Sequence, residues 1–157
     1  MTVICQEPRD SYEDIGNMYV EIPVLGVNTS IVGVPLNDGQ WYLTWLWNKA
    51  GWLNETAYPT WDGNSVLTGH VYLPNGKPGP FLNLGNLEWG DQIIIHSGGL
   101  KYIYQVRAVS TVKPDDMSAF KHEDKPWVTL ITCKEYDEKT NTYKKRIVIR
   151  AVLVEVK

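Results

Sequence analysis

The chain has 157 residues, enough for one domain with a proper core, and its 43% hydrophobic and 21% charged content is ordinary for a soluble globular protein. A net charge of -3 excludes a broad basic surface for nucleic acid or anionic lipid. Two cysteines, Cys5 and Cys133, do not make a disulfide framework, and no apolar run reaches the length of a membrane span or signal segment. Seven Trp and nine Tyr are many for this length, and such residues line binding clefts as well as cores.

Residues 1–17 read as a polar lead-in to a single domain over 18–157, and Cys5 in that lead-in is given no catalytic role. Residues 18–26 and 31–36 read as two short strands, joined through Val27-Asn28-Thr29-Ser30 as a hairpin connection. Residues 41–47 are apolar but too dense in Trp, Tyr and Leu for a period to be assigned. Residues 51–64 read as a loop, punctuated by Asn54, Pro59, Asp62, Gly63 and Asn64. A strand over 65–73 carries His70, and residues 74–80 are turn-rich. Phe81, Leu84 and Leu87, three apart, predict a short helix over 81–89. Strands follow over 91–96 and 101–112; in the latter Tyr102, Tyr104 and Val106 share a face. Residues 114–126 form a charged loop with room for a helical turn, and residues 144–157 make the last strand. Six to eight short strands without long helical periodicity predict an all-β sandwich or barrel.

The stretch of most chemical interest is Trp127-Val128-Thr129-Leu130-Ile131-Thr132-Cys133. Its β-branched and apolar residues suit a buried strand, and it stops abruptly at a thiol before a charged run. A thiol at such a boundary is held by the strand yet reachable from solvent, as a nucleophile needs to be. The same position also suits a small core hydrophobe, and both readings stand on this stretch alone. A catalytic thiol needs a base or cationic partner, because the thiolate is the attacking species. Of three histidines, His122 sits in a charged loop and His96 ends an apolar strand. His70, behind Gly69, is the better partner. A tetrahedral oxyanion needs positive charge nearby. Arg146 and Arg150 supply it, four apart on one side of the last strand, with Arg146 nearer the turn after Cys133 if the two strands pair.

These segments together resemble the sortases, cysteine transpeptidases of mainly Gram-positive cell surfaces. Thr129–Cys133 resembles the family's cysteine signature, and Leu67-Thr68-Gly69-His70 its histidine segment. Residues 135–146, ending on Lys145-Arg146, resemble the loop and strand that carry its arginine, and Ile22–Val27 its opening hairpin. The resemblance implies a closed eight-stranded β-barrel with short helices in the connections. It implies a catalytic set of His70, Cys133 and Arg146, with Arg150 a neighbour. Gly69, Ile131, Thr132 and the 115–126 loop would line the substrate cleft.

The partners so implied are a sorting-signal peptide of the LPXTG type and an amine from a cell-wall precursor or a pilin lysine. Contact with membrane is expected only through an N-terminal anchor absent from this sequence, at the outer face of the bacterial plasma membrane. No cofactor is expected. The housekeeping members bind calcium through acidic residues, but here the Trp-rich region before His70 has only Glu55 and Asp62, while Asp115, Asp116, Glu123 and Asp124 read as a solvated loop. The Trp-rich 41–61 segment resembles other subclasses more than the housekeeping one. A hydrolytic cysteine peptidase using the same residues, and a non-catalytic barrel binding peptide or glycan through its Trp-rich segment, are the competing readings.

Overall fold

The computed structural model describes residues 12–43, 46–132, 136–137 and 139–157. In chain order its strands are β1 (Tyr19–Ile22), β2 (Val27–Val34), β3 (Leu36–Asn37), β4 (Gln40–Trp41), β5 (Ala50–Leu53) and β6 (Gly63–Gly69). They continue with β7 (Gln92–Ser97), β8 (Leu100–Val112), β9 (Pro126–Thr132), β10 (Tyr136–Asp137), β11 (Thr142–Tyr143) and β12 (Arg146–Val156). Eight of them close into a barrel in the order β1-β2-β5-β6-β9-β12-β8-β7, with β1 pairing back onto β7. The expected closed eight-stranded barrel is therefore what the chain forms. Among the described residues its short helices are 3-10 turns at Pro23–Leu25, Leu84–Asn86 and Ser118–Phe120.

Strand β9 is central to the site. It runs parallel to β6 on one side and antiparallel to β12 on the other, so both its edges are satisfied. Both its faces are covered as well. Val128 and Leu130 point into the barrel core with Leu67, Phe81, Tyr104 and Ile149. Ile131 packs into a second cluster with Val34, Leu46, Leu53, Val66, Ala119 and Val148. That double burial is why the sequence reads as a continuous apolar run rather than an alternating one. At about 1.5–3 kcal/mol per fully buried aliphatic side chain, Val128, Leu130 and Ile131 bind this strand firmly to the fold.

Several elements differ from their sequence reading. The opening hairpin turns earlier than expected: Tyr19 to Ile22 pair with Ser30 to Val27, so residues 27–30 are strand. Pro23 lacks the N–H that a strand interior requires, and Gly26, at φ 67°, closes the turn by donating to Pro23 O at 3.1 Å. Ala50–Leu53 is a strand rather than loop, because it finds a parallel partner in β2 with Ile31 opposite Ala50. A four-residue strand whose pairing is remote leaves little local signal. The predicted helix over 81–89 shrinks to one 3-10 turn. Phe81, Leu84 and Leu87 are nevertheless all buried, so the three-residue spacing identified core positions correctly and their element type wrongly. The strand before His70 ends at Gly69, which leaves His70 just beyond it.

Candidate active site

The last residues of β6 and β9 are in register, Gly69 opposite Thr132. His70 is the next residue after Gly69, and Cys133 the next after Thr132. Cys133, like Cys5, lies outside the described residues. On the other side of β9, Arg146 opens β12 and is only 8% exposed. Its Nε donates to the carbonyl oxygen of Thr132 at 2.9 Å. That carbonyl belongs to the peptide bond leading into residue 133. The Thr132 hydroxyl accepts from Ile147 N at 2.9 Å, so the start of β12 is tied twice to the end of β9. The strand that leads into His70 and the strand that opens on Arg146 thus flank the end of β9 from opposite sides.

His70 is held by backbone on two sides. Its carbonyl accepts from Phe81 N at 3.1 Å, and Gly79 N donates to Val71 O at 2.8 Å. At Gly79 the returning chain passes so close that a Cβ would sit 2.2 Å from the His70 carbonyl oxygen. Below it, the ring of Phe81 lies against Gly69, where a Cβ would meet it at 3.2 Å. The imidazole is half-buried, with Nε2 3.0 Å from the carbonyl oxygen of Leu43.

Arg146 also lines a groove of about 340 Å³. Trp41, Leu43, Leu53, Asp115, Met117 and Phe120 line it as well. The Trp41 and Phe120 rings stack on each other, 5.4 Å between centroids and 6° from parallel. The apolar lining suits bulky apolar groups, and Arg146 adds positive charge to it.

The loop that carries Met117 and Phe120 is fastened from beneath by Asn64, which is 3% exposed. Its Nδ2 donates to Ala119 O at 2.8 Å and Lys121 O at 2.9 Å, while its Oδ1 accepts from the Thr129 hydroxyl at 2.6 Å. In sequence, Asn64 looked only like the end of a loop. Its role needs three partners more than 50 positions away, which no local pattern reveals.

The other predicted residues fall into place as follows. Ile131 is fully buried and belongs to the cluster that holds Leu53 and packs against Trp41 and Phe120; Thr132 is nearly buried, and the Phe81 ring covers Gly69. Arg150 shares a side of β12 with Arg146 but stands about 13 Å along the strand. Its guanidinium lies 4.7 Å over Trp127, 3.5 Å from Glu123, and its Nε donates to Thr129 at 3.3 Å. It therefore fastens the 113–125 loop to the barrel. His96 pairs with Glu21 at 2.8 Å and stacks on Tyr19, three strands away from β9 in the barrel order. His122 is exposed beside Asp124 at 3.6 Å. The acidic residues of the loop have local roles. Asp116 accepts from Ser118 N at 2.8 Å, and the backbone and hydroxyl of Ser118 hold its carboxyl below the usual carboxylate range. Among the described residues, no cluster of three or more His, Cys, Asp or Glu is arranged to hold a metal ion.

A closed barrel in which a histidine and a buried arginine flank the end of one strand, beside an apolar groove, is the frame of a peptide-processing enzyme. The family model of the sortase domain matches residues 20–154, and the chain belongs to the sortase family, whose members are cysteine transpeptidases. Sortase A of Staphylococcus aureus is 29% identical over 157 residues, covering 97% of this chain and 69% of that protein. The structure of sortase C-1 from Actinomyces oris aligns with a TM-score of 0.71 and 28% identity, covering 90% of this chain and 76% of that one. Sortase C of Clostridium perfringens, solved with the C-terminal cell wall sorting motif, aligns at 0.70 and 28%, covering 93% and 74%. Class A and class C members thus match this chain to a similar degree.

Proposed function

We propose that this sortase cleaves an LPXTG-like sorting signal through a thioacyl intermediate on Cys133 and transfers the acyl group to an amine. The Cys133 thiolate attacks the threonine carbonyl, forming an Sγ–C bond and a tetrahedral oxyanion. Collapse breaks the C–N bond, and the leaving amine takes a proton from the His70 imidazolium. An incoming amine then attacks the thioester, gives its proton to His70, and expels the Cys133 thiolate. Arg146 stabilises the developing oxyanion or holds the substrate backbone.

The observation that carries this reading is the flanking of β9's end by the strand that leads into His70 and the buried guanidinium of Arg146, bonded to the peptide that enters residue 133. The groove beside Arg146 takes the apolar part of the signal, with Gly69, Ile131 and Thr132 at the neighbouring ends of β6 and β9 bordering the reacting bond. The amine comes from a cell-wall precursor or a pilin lysine. The enzyme works at the outer face of the bacterial plasma membrane, held by an N-terminal anchor.

The test is product mass spectrometry with LPXTG-type peptides, with and without an added amine. Wild type should yield the amine adduct, and Cys133→Ala should yield none. Water-cleaved product alone, whatever amine is added, makes the enzyme a peptidase instead. Adduct formed by Cys133→Ala removes the thiol from the mechanism.

A further inference from the structure

The imidazole of His70 meets a fixed acceptor. Its Nε2 lies 3.0 Å from the Leu43 carbonyl oxygen, and a carbonyl only accepts, so Nε2 carries a hydrogen in the neutral as well as the charged ring. The neutral ring then has Nδ1 as its basic nitrogen. We propose that the Leu43 carbonyl is the orienting acceptor for His70, that it commits Nδ1 to the proton transfers, and that Tyr12 is a positioning residue holding that carbonyl in place. This rests on His70 being the acid and base of the reaction proposed above.

Leu43 is well suited to the task. Its carbonyl oxygen also accepts from Leu46 N at 3.1 Å, which uses both lone pairs, and Leu46 is fully buried in the second cluster. The preceding carbonyl, that of Tyr42, accepts from the Tyr12 hydroxyl at 2.7 Å. Tyr12 is itself anchored through its neighbour: Glu13 and Gly33 exchange two backbone hydrogen bonds, each 2.8 Å. From a third direction, Trp41 Nε1 donates to Asn54 O at 3.1 Å, and its ring stacks on Phe120. Residues 41–43 are thus clamped between the segment before β1, the end of β5 and the groove loop. Torsion about χ2 of histidine is broad, so a rigid acceptor is what selects one ring orientation. Tyr12 lies outside the 20–154 segment that matches the family model, whereas Leu43 lies inside it.

In this scheme the proton balance runs through one atom. The imidazolium gives its Nδ1 proton to the departing amine nitrogen as the C–N bond breaks. The incoming amine returns a proton to Nδ1 as the thioester is resolved. The Nε2–H stays on the Leu43 oxygen throughout.

The test uses the whole chain labelled with 15N-histidine. At pH above the imidazole titration, the His70 ring should show a protonated Nε2 and a bare Nδ1; the reverse pattern overturns the assignment. Tyr12→Phe should lower kcat roughly three- to tenfold at similar KM, and should mix the two tautomer signals. An unfolding temperature within a few degrees of wild type, measured alongside, separates this from loss of fold. An ester in place of the 43–44 amide, which weakens the same acceptor, should act in the same direction. Unchanged kcat and tautomer in both variants overturn the roles of Tyr12 and Leu43. Transpeptidation retained by His70→Ala would instead sink the acid–base reading, and the tautomer measurement would still stand on its own.

Discussion

Asn64 offers the sharpest check on how the groove is built. In Asn64→Leu the branched shape is kept, with two methyl groups in place of the amide oxygen and nitrogen, and three hydrogen bonds are lost. Ala119 O is left buried without its donor, Lys121 O lies closer to solvent, and the Thr129 hydroxyl loses its acceptor. At about 1–3 kcal/mol for each buried group left unsatisfied, with Lys121 O partly rehydrated, the loss is on the order of 3–5 kcal/mol. Burial of the new apolar side chain returns about 1–2 kcal/mol. The net cost of about 1–4 kcal/mol lowers the unfolding temperature by roughly 2–15 °C for a chain of this size. Far-UV circular dichroism on heating measures it. The KM for a sorting peptide should rise as well, because Met117 and Phe120 ride on the released loop. The companion Asn64→Asp should be worse at neutral pH, since a carboxylate would face two carbonyl oxygens. Burial and those carbonyls raise the new carboxyl's folded pKa above its unfolded value. Its deficit should therefore shrink below about pH 4 and grow as pH rises through the folded value. An Asn64→Leu protein that melts within 2 °C of wild type with unchanged KM would refute the idea that this side chain secures the groove.

Gly79→Ala drives a Cβ to 2.2 Å from the His70 carbonyl oxygen, a backbone atom with nowhere to yield, so kcat should fall by more than tenfold even in soluble, folded protein. Wild-type kcat in that variant would mean the loop over His70 moves freely. Arg146→Lys loses the planar donor to Thr132 O, and kcat/KM should drop roughly 10- to 100-fold, the worth of a charge-assisted bond; steady-state kinetics within twofold of wild type would contradict this. From ordinary values of about 8.5 for Cys and about 6.5 for His, thiolate with imidazolium is on the order of 1% of enzyme near pH 7.5. The rate should therefore be bell-shaped in pH, and a flat profile from pH 5 to 10 would oppose the pairing of Cys133 with His70. The Asp116 carboxyl, held low by Ser118, should titrate below a free aspartate, and Ser118→Ala should raise it. Its contribution to the 116–118 turn is present above the usual aspartate range and lost as pH falls through the folded value, which carboxyl 13C NMR would follow.

What the sequence determined by itself was strand content and the identity of chemically distinctive positions. The run over 127–132 had to be a buried strand, because β-branched and apolar side chains in unbroken succession can be covered only with packing on both faces. His70 and Arg146 stood out because a histidine behind a strand glycine and an arginine after a charged turn are local patterns. Local patterns failed where a partner was remote. The strand over residues 50–53 exists because β2 lies beside it, and the opening turn moved because Pro23 could not continue the strand. Only the closed barrel could decide that Gly69 and Thr132 share a register, that Ile131 belongs to the cluster that holds Leu53, and that Arg146 reaches the peptide entering residue 133. The same closure gave Asn64 and the Leu43 carbonyl their partners. Hydrogen bonds and packing across dozens of intervening residues depend on how the chain returns on itself, and no window of sequence contains that information.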